Sequence, residues 1–332
     1  MSNNGKTITT QERINDVETK KGKAGGWPNY FDYFINGDSV TISVDNKVLD
    51  KKATRRLDPW GLAFLIEAKD RCGKEFNTIN FAISGKIEEI KPNRRIAPDL
   101  EAFRRRVSFL SINNQNLRFK ININGEPLEL DDARMLFNRP DNEKINGDFS
   151  HKTQDNHPGR LEKDFQTWLL ANDVKRDENP DAKTNERLAV LGEDFFKLNN
   201  RGLGIIRECH TGAFHDKISN NNRILPTEFV DIVSLNKYGQ LAVIELKLND
   251  SQLEVIAQLV DYSLFFRCYR DKLWPLIVEK LRNTPKSKDI ICYIVNNHFH
   301  NRFDDVMKFY SPKNESYGFR IKKVVLGHYK EI

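Results

Sequence analysis

The chain has 332 residues, 53 of them Lys or Arg and 47 Asp or Glu, for a formal net charge of +6. A hydrophobic fraction of 39% and a charged fraction of 30% describe an ordinary globular protein, long enough for two domains that each bury a core. The positive charge permits nucleic-acid binding without demanding it. No apolar run approaches a membrane span, and the start MSNNGKTITTQERIND lacks the apolar core of a signal peptide. A cytoplasmic protein with no membrane contact is therefore expected. Cys72, Cys209, Cys268 and Cys292 lie far apart without a Cys-x-x-Cys pair, which argues against a disulfide framework or zinc ribbon. Cys209, His210 and His215 lack an evident fourth ligand.

In chain order, residues 1–26 are polar and end in Lys-Gly-Lys-Ala-Gly-Gly, a composition that predicts a flexible arm. From Trp27 to Val44 the aromatic and β-branched pattern predicts strands joined at Asn36-Gly37-Asp38. A helix is expected from Asp58 to Arg71, with Asp58 as cap and Pro59 in its first turn. Strands are expected at 78–87, 107–112 and 117–123, the last running into the turn pair Asn124-Gly125. Residues 27–137 thus read as a strand-rich accessory domain. Its stretch from Lys86 to Arg106 holds Lys91, Arg94, Arg95, Arg104, Arg105 and Arg106, diluted by Glu88, Glu89, Asp99 and Glu101. It is either a phosphate-contacting patch or a solvated surface.

Residues 138–159 carry almost no large apolar side chains and read as a linker. The second domain, 160–332, opens with a helix from Leu161 to Leu170 whose apolar stripe is Leu161, Phe165, Trp168 and Leu169, with Glu162 beside it. A second helix is expected over 185–198 and a strand over 203–209, carrying Glu193 and Glu208. In and around the long polar loop that follows, Arg207, His210, Lys217 and Arg223 are candidate phosphate contacts. Further on, a strand is expected over 289–296, then His298 and His300 in a loop, a short helix near 303–309 and a last strand over 317–326.

The densest chemistry lies in Thr227 to Tyr262. Two apolar runs, Phe229 to Leu235 and Leu241 to Leu248, flank Asn-Lys-Tyr-Gly and predict a β-hairpin. A three-residue loop with Gly239 in the left-handed conformation pairs Asn236 with Gln240 and sets Asp231 opposite Glu245. A four-residue loop would set Asp231 opposite Ile244. Glu245 and Lys247 share a face in either register. Charges on so apolar a strand are costly unless paired or bound to a metal, and two adjacent carboxylates favour a divalent cation. Asp231, Glu245 and the Leu246 carbonyl are suitable oxygen donors for Mg²⁺, with Lys247 placed to orient water or offset negative charge. Ser251 and Glu254 form an expected capping box for a helix running to Tyr269. On it Gln258 and Tyr262 stack four residues apart, either supporting the carboxylates or contacting a nucleic-acid backbone.

Asp231, then Glu245-Leu246-Lys247, then Gln258-Leu259-Val260-Asp261-Tyr262 resembles the PD-(D/E)XK nuclease superfamily. The match is to its branch with an additional Q-x-x-x-Y motif, found in RecB-type and lambda-exonuclease-type nucleases. The name-giving proline is absent, Phe229-Val230 standing where it often precedes the Asp. The resemblance implies an α/β fold in which 160–332 form a restriction-endonuclease-like core, a mixed sheet flanked by helices. It implies Asp231 and Glu245 as metal ligands, Lys247 as catalytic lysine, and Gln258 and Tyr262 as the helix motif. It also implies an acid from a preceding helix, for which Glu162 is the candidate, with Glu193 and Glu208 as competitors. The function implied is a Mg²⁺-dependent nuclease (Mn²⁺ substituting) acting on DNA, in antiphage defence or DNA processing. The layout is somewhat similar to Shedu-type antiphage nucleases. An inactive nucleic-acid-binding module of the same fold, and a regulatory subunit binding a protein partner, stay open as alternatives, as does homo-oligomerisation.

Overall fold

The computed structural model describes residues 7–8, 27–28, 30–45, 51–85, 96–139, 142–146, 161–170, 186–195 and 205–327. Most of the expected N-terminal arm, and Lys91, Arg94 and Arg95 of the basic stretch, lie outside them. Thr7–Ile8 of that arm form a short edge strand, β1. Strands β2 (Asp32–Asn36) and β3 (Ser39–Asp45) make the expected hairpin, with Tyr33, Ile35, Val40, Ile42 and Val44 turned inward at every second position. The chain then crosses over twice. Helix α1 (Lys51–Cys72) leads to β4 (Thr78–Ser84), and helix α2 (Ile96–Asn113) to β5 (Arg118–Ile123), all parallel to β3. Strand β6 (Glu126–Leu128) closes this six-stranded sheet antiparallel to β5.

Two expectations fail here. Helix α1 starts before Asp58, so Pro59 lies inside it and Asp58 is no cap. The additional turn is held from outside, since Arg55 pairs with Glu228 at 2.6 Å and Arg56 with Glu254 at 2.8 Å. Residues 107–112 are helical, not a strand. Phe103, Val107 and Leu110 recur at spacings of four and three and are fully buried, a helix period that a short apolar run does not reveal. Helix α1 approaches the sheet at Gly61, where an added Cβ would sit 2.6 Å from Phe81 Cε1. Gly61→Ala is accordingly expected to lower stability by about 1–3 kcal/mol in urea unfolding, through overpacking.

Helix α3 (Ala133–Phe137), capped by Asp132, precedes β7 (Glu143–Ile145). β7 falls in the stretch expected to be linker, yet it pairs with β9 (Ala213–His215). Glu143 is buried there against Arg139, at 2.8 Å, and the Tyr269 hydroxyl. Helix α4 (Leu161–Leu170) has the expected bounds. The helix expected over 185–198 is instead two 3₁₀ turns, Glu186–Leu191 and Glu193–Phe195, broken at Gly192 with φ +117°.

The second sheet runs β13-β12-β11-β10-β8. Strands β8 (Ile206–Thr211), β10 (Glu228–Leu235) and β11 (Leu241–Leu246) form an antiparallel meander. Helices α5 (Glu254–Cys268) and α6 (Arg270–Leu281) cross to β12 (Ile290–Asn296), parallel to β11. Helix α7 (Phe303–Tyr310) crosses to β13 (Phe319–Val325), parallel to β12. The fold is thus α/β, with mixed sheets flanked by helices. The capping box at Ser251 does not form, because Leu253 takes the cap position and the Glu254 carboxylate is drawn to Arg56.

One hydrophobic core runs through both halves, from Tyr33, Leu57 and Phe103 to Leu259, Ile277 and Val306. α1 and α2 cover the first sheet and meet α5 and α7, which cover the second; α4 and the 3₁₀ turns cover the far face of the second sheet. The main core thus takes residues from both sides of 138–159. Among the described residues no helix is long and apolar enough to cross a membrane.

Candidate active site

The β10–β11 hairpin adopts the three-residue loop. Gly239 has φ +74°, its N–H bonds the Asn236 carbonyl at 2.9 Å, and Asn236 N–H bonds the Gln240 carbonyl at 3.0 Å. Ile232 pairs with Ile244 and Leu235 with Leu241, a register whose next pair is Asp231 with Glu245.

At Asp231 the strand departs from simple alternation. Val233 and Leu235 face the main core and Ile232 the opposite face, yet Val230 faces the main core again. The residue aligned with Asp231 on β8 is Glu208, which takes φ +43°, a conformation unusual for a side chain other than Gly or Asn. The break in alternation and the positive φ thus fall at the same aligned pair. Its Oδ2 accepts a hydrogen bond from Leu246 N–H at 2.7 Å, and its carbonyl accepts one from Gln166 of α4 at 2.8 Å.

Glu245 is 1% exposed. Its Oε1 accepts from Lys247 Nζ at 2.8 Å and from Gln258 Nε2 at 2.7 Å. Its Oε2 is buried with no hydrogen-bond partner among the described residues. Gln258 Nε2 also donates to the Tyr262 hydroxyl at 2.7 Å, and that hydroxyl donates to the Phe229 carbonyl at 2.8 Å. A chain of bonds thus ties β10 to Glu245 through two side chains four residues apart on α5. Tyr262 is 1% exposed, so it supports the carboxylate and does not present itself to a nucleic-acid backbone. Lys247 Nζ lies 3.1 Å from the Leu246 carbonyl and 3.7 Å from Glu162 Oε2.

Burial raises the pKa of Asp231 well above the usual carboxylate range; the charge of Glu245 adds to this and Lys247 opposes it. Burial also raises Glu245, against the pull of Lys247 and of Arg55 from α1. For Lys247, burial acts to lower the pKa, but the charges of Glu245, Asp231 and Glu162 outweigh it and hold the ammonium protonated. Lys247 is therefore a cation and not a base in this arrangement.

Glu162 reaches this cluster through Lys247, at 3.7 Å. Glu193 is exposed, and its neighbour Asp194 bonds Lys237 N–H in the hairpin loop, at the opposite end of the strands. Glu208 aligns with Asp231, as described. Arg104, Arg105 and Arg106 do not form a phosphate patch. Arg104 pairs with Glu101 and Asp131 at 2.8 and 2.7 Å, while Arg105 and Arg106 are 2% and 1% exposed. Arg223 bonds Asn220, Arg207 bonds the Leu170 carbonyl, His210 packs on Phe229, and His300 packs on Trp60. Gln166 and Arg55 belong to the site's surroundings and carried no signal of their own. Gln166 sits in an apolar stripe, and Arg55 comes from the other half of the chain.

A cavity of about 910 Å³ lies elsewhere, between the ends of α1 and α2 and helix α7. Leu65, Phe76 and Phe309 line it, under a rim of Lys69, Asp70, Arg302 and Asp305.

No protein-family model matches the chain, and no curated protein matches it at a significant level.

The donor set tests whether a divalent cation fits. Among the described residues no group of three or more His, Cys, Asp or Glu side chains could hold a metal. Two carboxylates and a main-chain carbonyl remain, hard oxygen donors of the kind Mg²⁺ takes with retained waters. The partnerless Glu245 Oε2, buried beside a second acid, is the atom a cation would satisfy. The residues present fit.

Proposed function

We propose that the chain is a metal-dependent phosphodiesterase. Within that class we infer a PD-(D/E)XK-type nuclease acting on DNA. The observation that carries the reading is Glu245, buried with one oxygen held by Lys247 and Gln258 and the other partnerless, beside a second acid of raised pKa. DNA as substrate comes from the resemblance alone.

Asp231, Glu245 and the Leu246 carbonyl would hold Mg²⁺, which supplies Lewis-acid polarisation of a phosphate oxygen and a bound water of lowered pKa. The protein's own part is positioning and charge. Gln258 and Tyr262 fix the Glu245 carboxylate, while Gln166 and Leu246 N–H fix Asp231 from both sides. Lys247, held protonated, places a full positive charge where the phosphate gains negative charge on in-line attack, and its N–H groups orient the attacking water.

The test is incubation of the full-length protein with end-labelled linear, nicked and circular DNA and with RNA, in Mg²⁺, Mn²⁺ or EDTA, beside Lys247→Ala. Metal-dependent cleavage, lost in EDTA and reduced on the order of 10²–10³-fold in the variant, is expected. DNA binding without cleavage under every condition would leave the inactive binding module as the better reading.

A further inference from the structure

Lys247 sits on oxygens at the candidate cation site. Its ammonium rests 3.1 Å from the Leu246 carbonyl, assigned above to the ion, and 2.8 Å from Glu245 Oε1, on the same carboxylate as the partnerless Oε2. An ammonium and a dication crowded onto these donors would repel each other strongly in so buried a site. One of the two must yield. A lysine side chain moves by bond rotation, and a second acceptor is already in reach, since Glu162 Oε2 lies 3.7 Å from the same ammonium.

Glu162 is suited to receive it. Its side chain is 38% exposed, whereas that of Glu245 is 2% exposed, so it holds charge at the mouth of the site and not among the ion's donors. Its helix is pinned to the site by Gln166 on the Asp231 carbonyl and by buried Phe165, Leu169 and Leu170. Its distance from Lys247 is therefore set by the fold and not by a mobile segment.

We propose that Lys247 is the resident cation of the metal-free site. A divalent cation enters by exchange, shifting the ammonium from Glu245 and the Leu246 carbonyl onto Glu162. Glu162 is thus a positioning residue for Lys247 and not a ligand of the ion. The exchange prevents the acid pair from standing uncompensated when no metal is bound, and it aims the lysine outward at the substrate phosphate when metal is present. This inference rests on the reading of Asp231 and Glu245 as a cation site.

Mn²⁺ affinity of the full-length protein, measured by electron paramagnetic resonance without DNA, separates the two ideas. Lys247→Met removes the competitor and is expected to bind Mn²⁺ about tenfold more tightly than the parent protein. Lys247→Gln, which keeps a hydrogen-bond donor near Glu245, carries the same expectation should the methionine variant not fold. Glu162→Gln is expected to bind Mn²⁺ within about twofold of the parent protein. In cleavage it should lower kcat with KM unchanged, with partial rescue by Glu162→Asp, a split that a merely structural residue would not give. Unchanged or weaker Mn²⁺ binding in both Lys247 variants, with Asp231→Asn abolishing it, overturns the exchange and leaves the cation site standing. A tenfold loss in Glu162→Gln makes Glu162 a ligand and overturns the proposal. Absence of Mn²⁺ binding in the parent protein and all variants overturns both.

Discussion

Arg106→Met is expected to cost about 3–5 kcal/mol of unfolding free energy, the penalty for leaving buried carboxylates without their counter-ion. The Arg106 guanidinium is 1% exposed and binds Asp58 through two parallel bonds, Nε to Oδ2 and Nη2 to Oδ1, each 2.9 Å. Nη2 also reaches the Thr54 carbonyl at 2.8 Å, and Nη1 reaches Asp261 at 2.8 Å. Tyr310 completes the group, its hydroxyl donating to Asp58 Oδ2 at 2.6 Å. One side chain on α2 therefore joins α1, α5 and α7 across the layer where the two halves meet. Burial already raises the Asp261 pKa, opposed first by Arg106 and then by Arg55. With methionine in place the larger attraction is gone and the desolvation remains. Asp261 lies between Gln258 and Tyr262 on α5, so the loss also loosens the helix that holds Glu245. Arg106→Lys is expected to recover only part of the stability, since an ammonium cannot reproduce the bidentate fork. Chemical denaturation monitored by circular dichroism measures the change. A loss below about 1 kcal/mol for Arg106→Met would show that the network balances no net charge and that packing alone joins the halves.

What could be seen in the sequence, and what could not, divides by distance along the chain. The Asp231–Glu245 register was legible because Gly239 is the residue that takes positive φ cheaply, and strand period then fixes which side chains share a face. Gln258 and Tyr262 were legible as a stacked pair because a helix turn is local. The arginine run was not, because an exposed basic stripe and a row of buried cations look alike until their partners are found. Those partners lie 27 residues away for Arg104 at Asp131, and 48 and 155 residues away for Arg106 at Asp58 and Asp261. The same blindness misplaced the α1 start and the capping box. Asp58 is a good local cap and Glu254 a good capping-box partner for Ser251, and each is claimed instead by an arginine from another element. That Glu193 sits at the opposite end of the strands from Glu162 and Glu208 depends on which end of the sheet each element reaches, and no local pattern encodes that. What local pattern left open was thus which charges are paired inside the protein.

Asp231→Asn is expected to raise the melting temperature of the metal-free protein while lowering metal-dependent cleavage on the order of 10³-fold or more. The two effects have one cause. The site sets three carboxylates, Asp231, Glu245 and Glu162, around the single ammonium of Lys247, and burial raises the pKa of Asp231 well above the usual range. A carboxyl with a raised folded-state pKa contributes stability that is fully present below its unfolded value, near 3.9, and is lost as pH rises through the folded value. Above its unfolded value the buried carboxyl therefore works against the fold. Asparagine removes that charge and still offers an amide oxygen to Leu246 N–H, so the strand geometry is kept. The gain, roughly 2–4 °C per kcal/mol for a domain of 150–250 residues, should shrink as pH falls toward 4, where the parent side chain is itself neutral. Glu245→Gln should not share it, because Glu245 is the direct partner of Lys247 at 2.8 Å and its loss leaves that ammonium poorly compensated. Mg²⁺ added to the parent protein should relieve the same repulsion and raise its melting temperature, with little effect on Asp231→Asn. A variant that melts lower than the parent at neutral pH, with no Mg²⁺ shift in either protein, would make Asp231 a structural strand cap and remove the physical basis for a cation site.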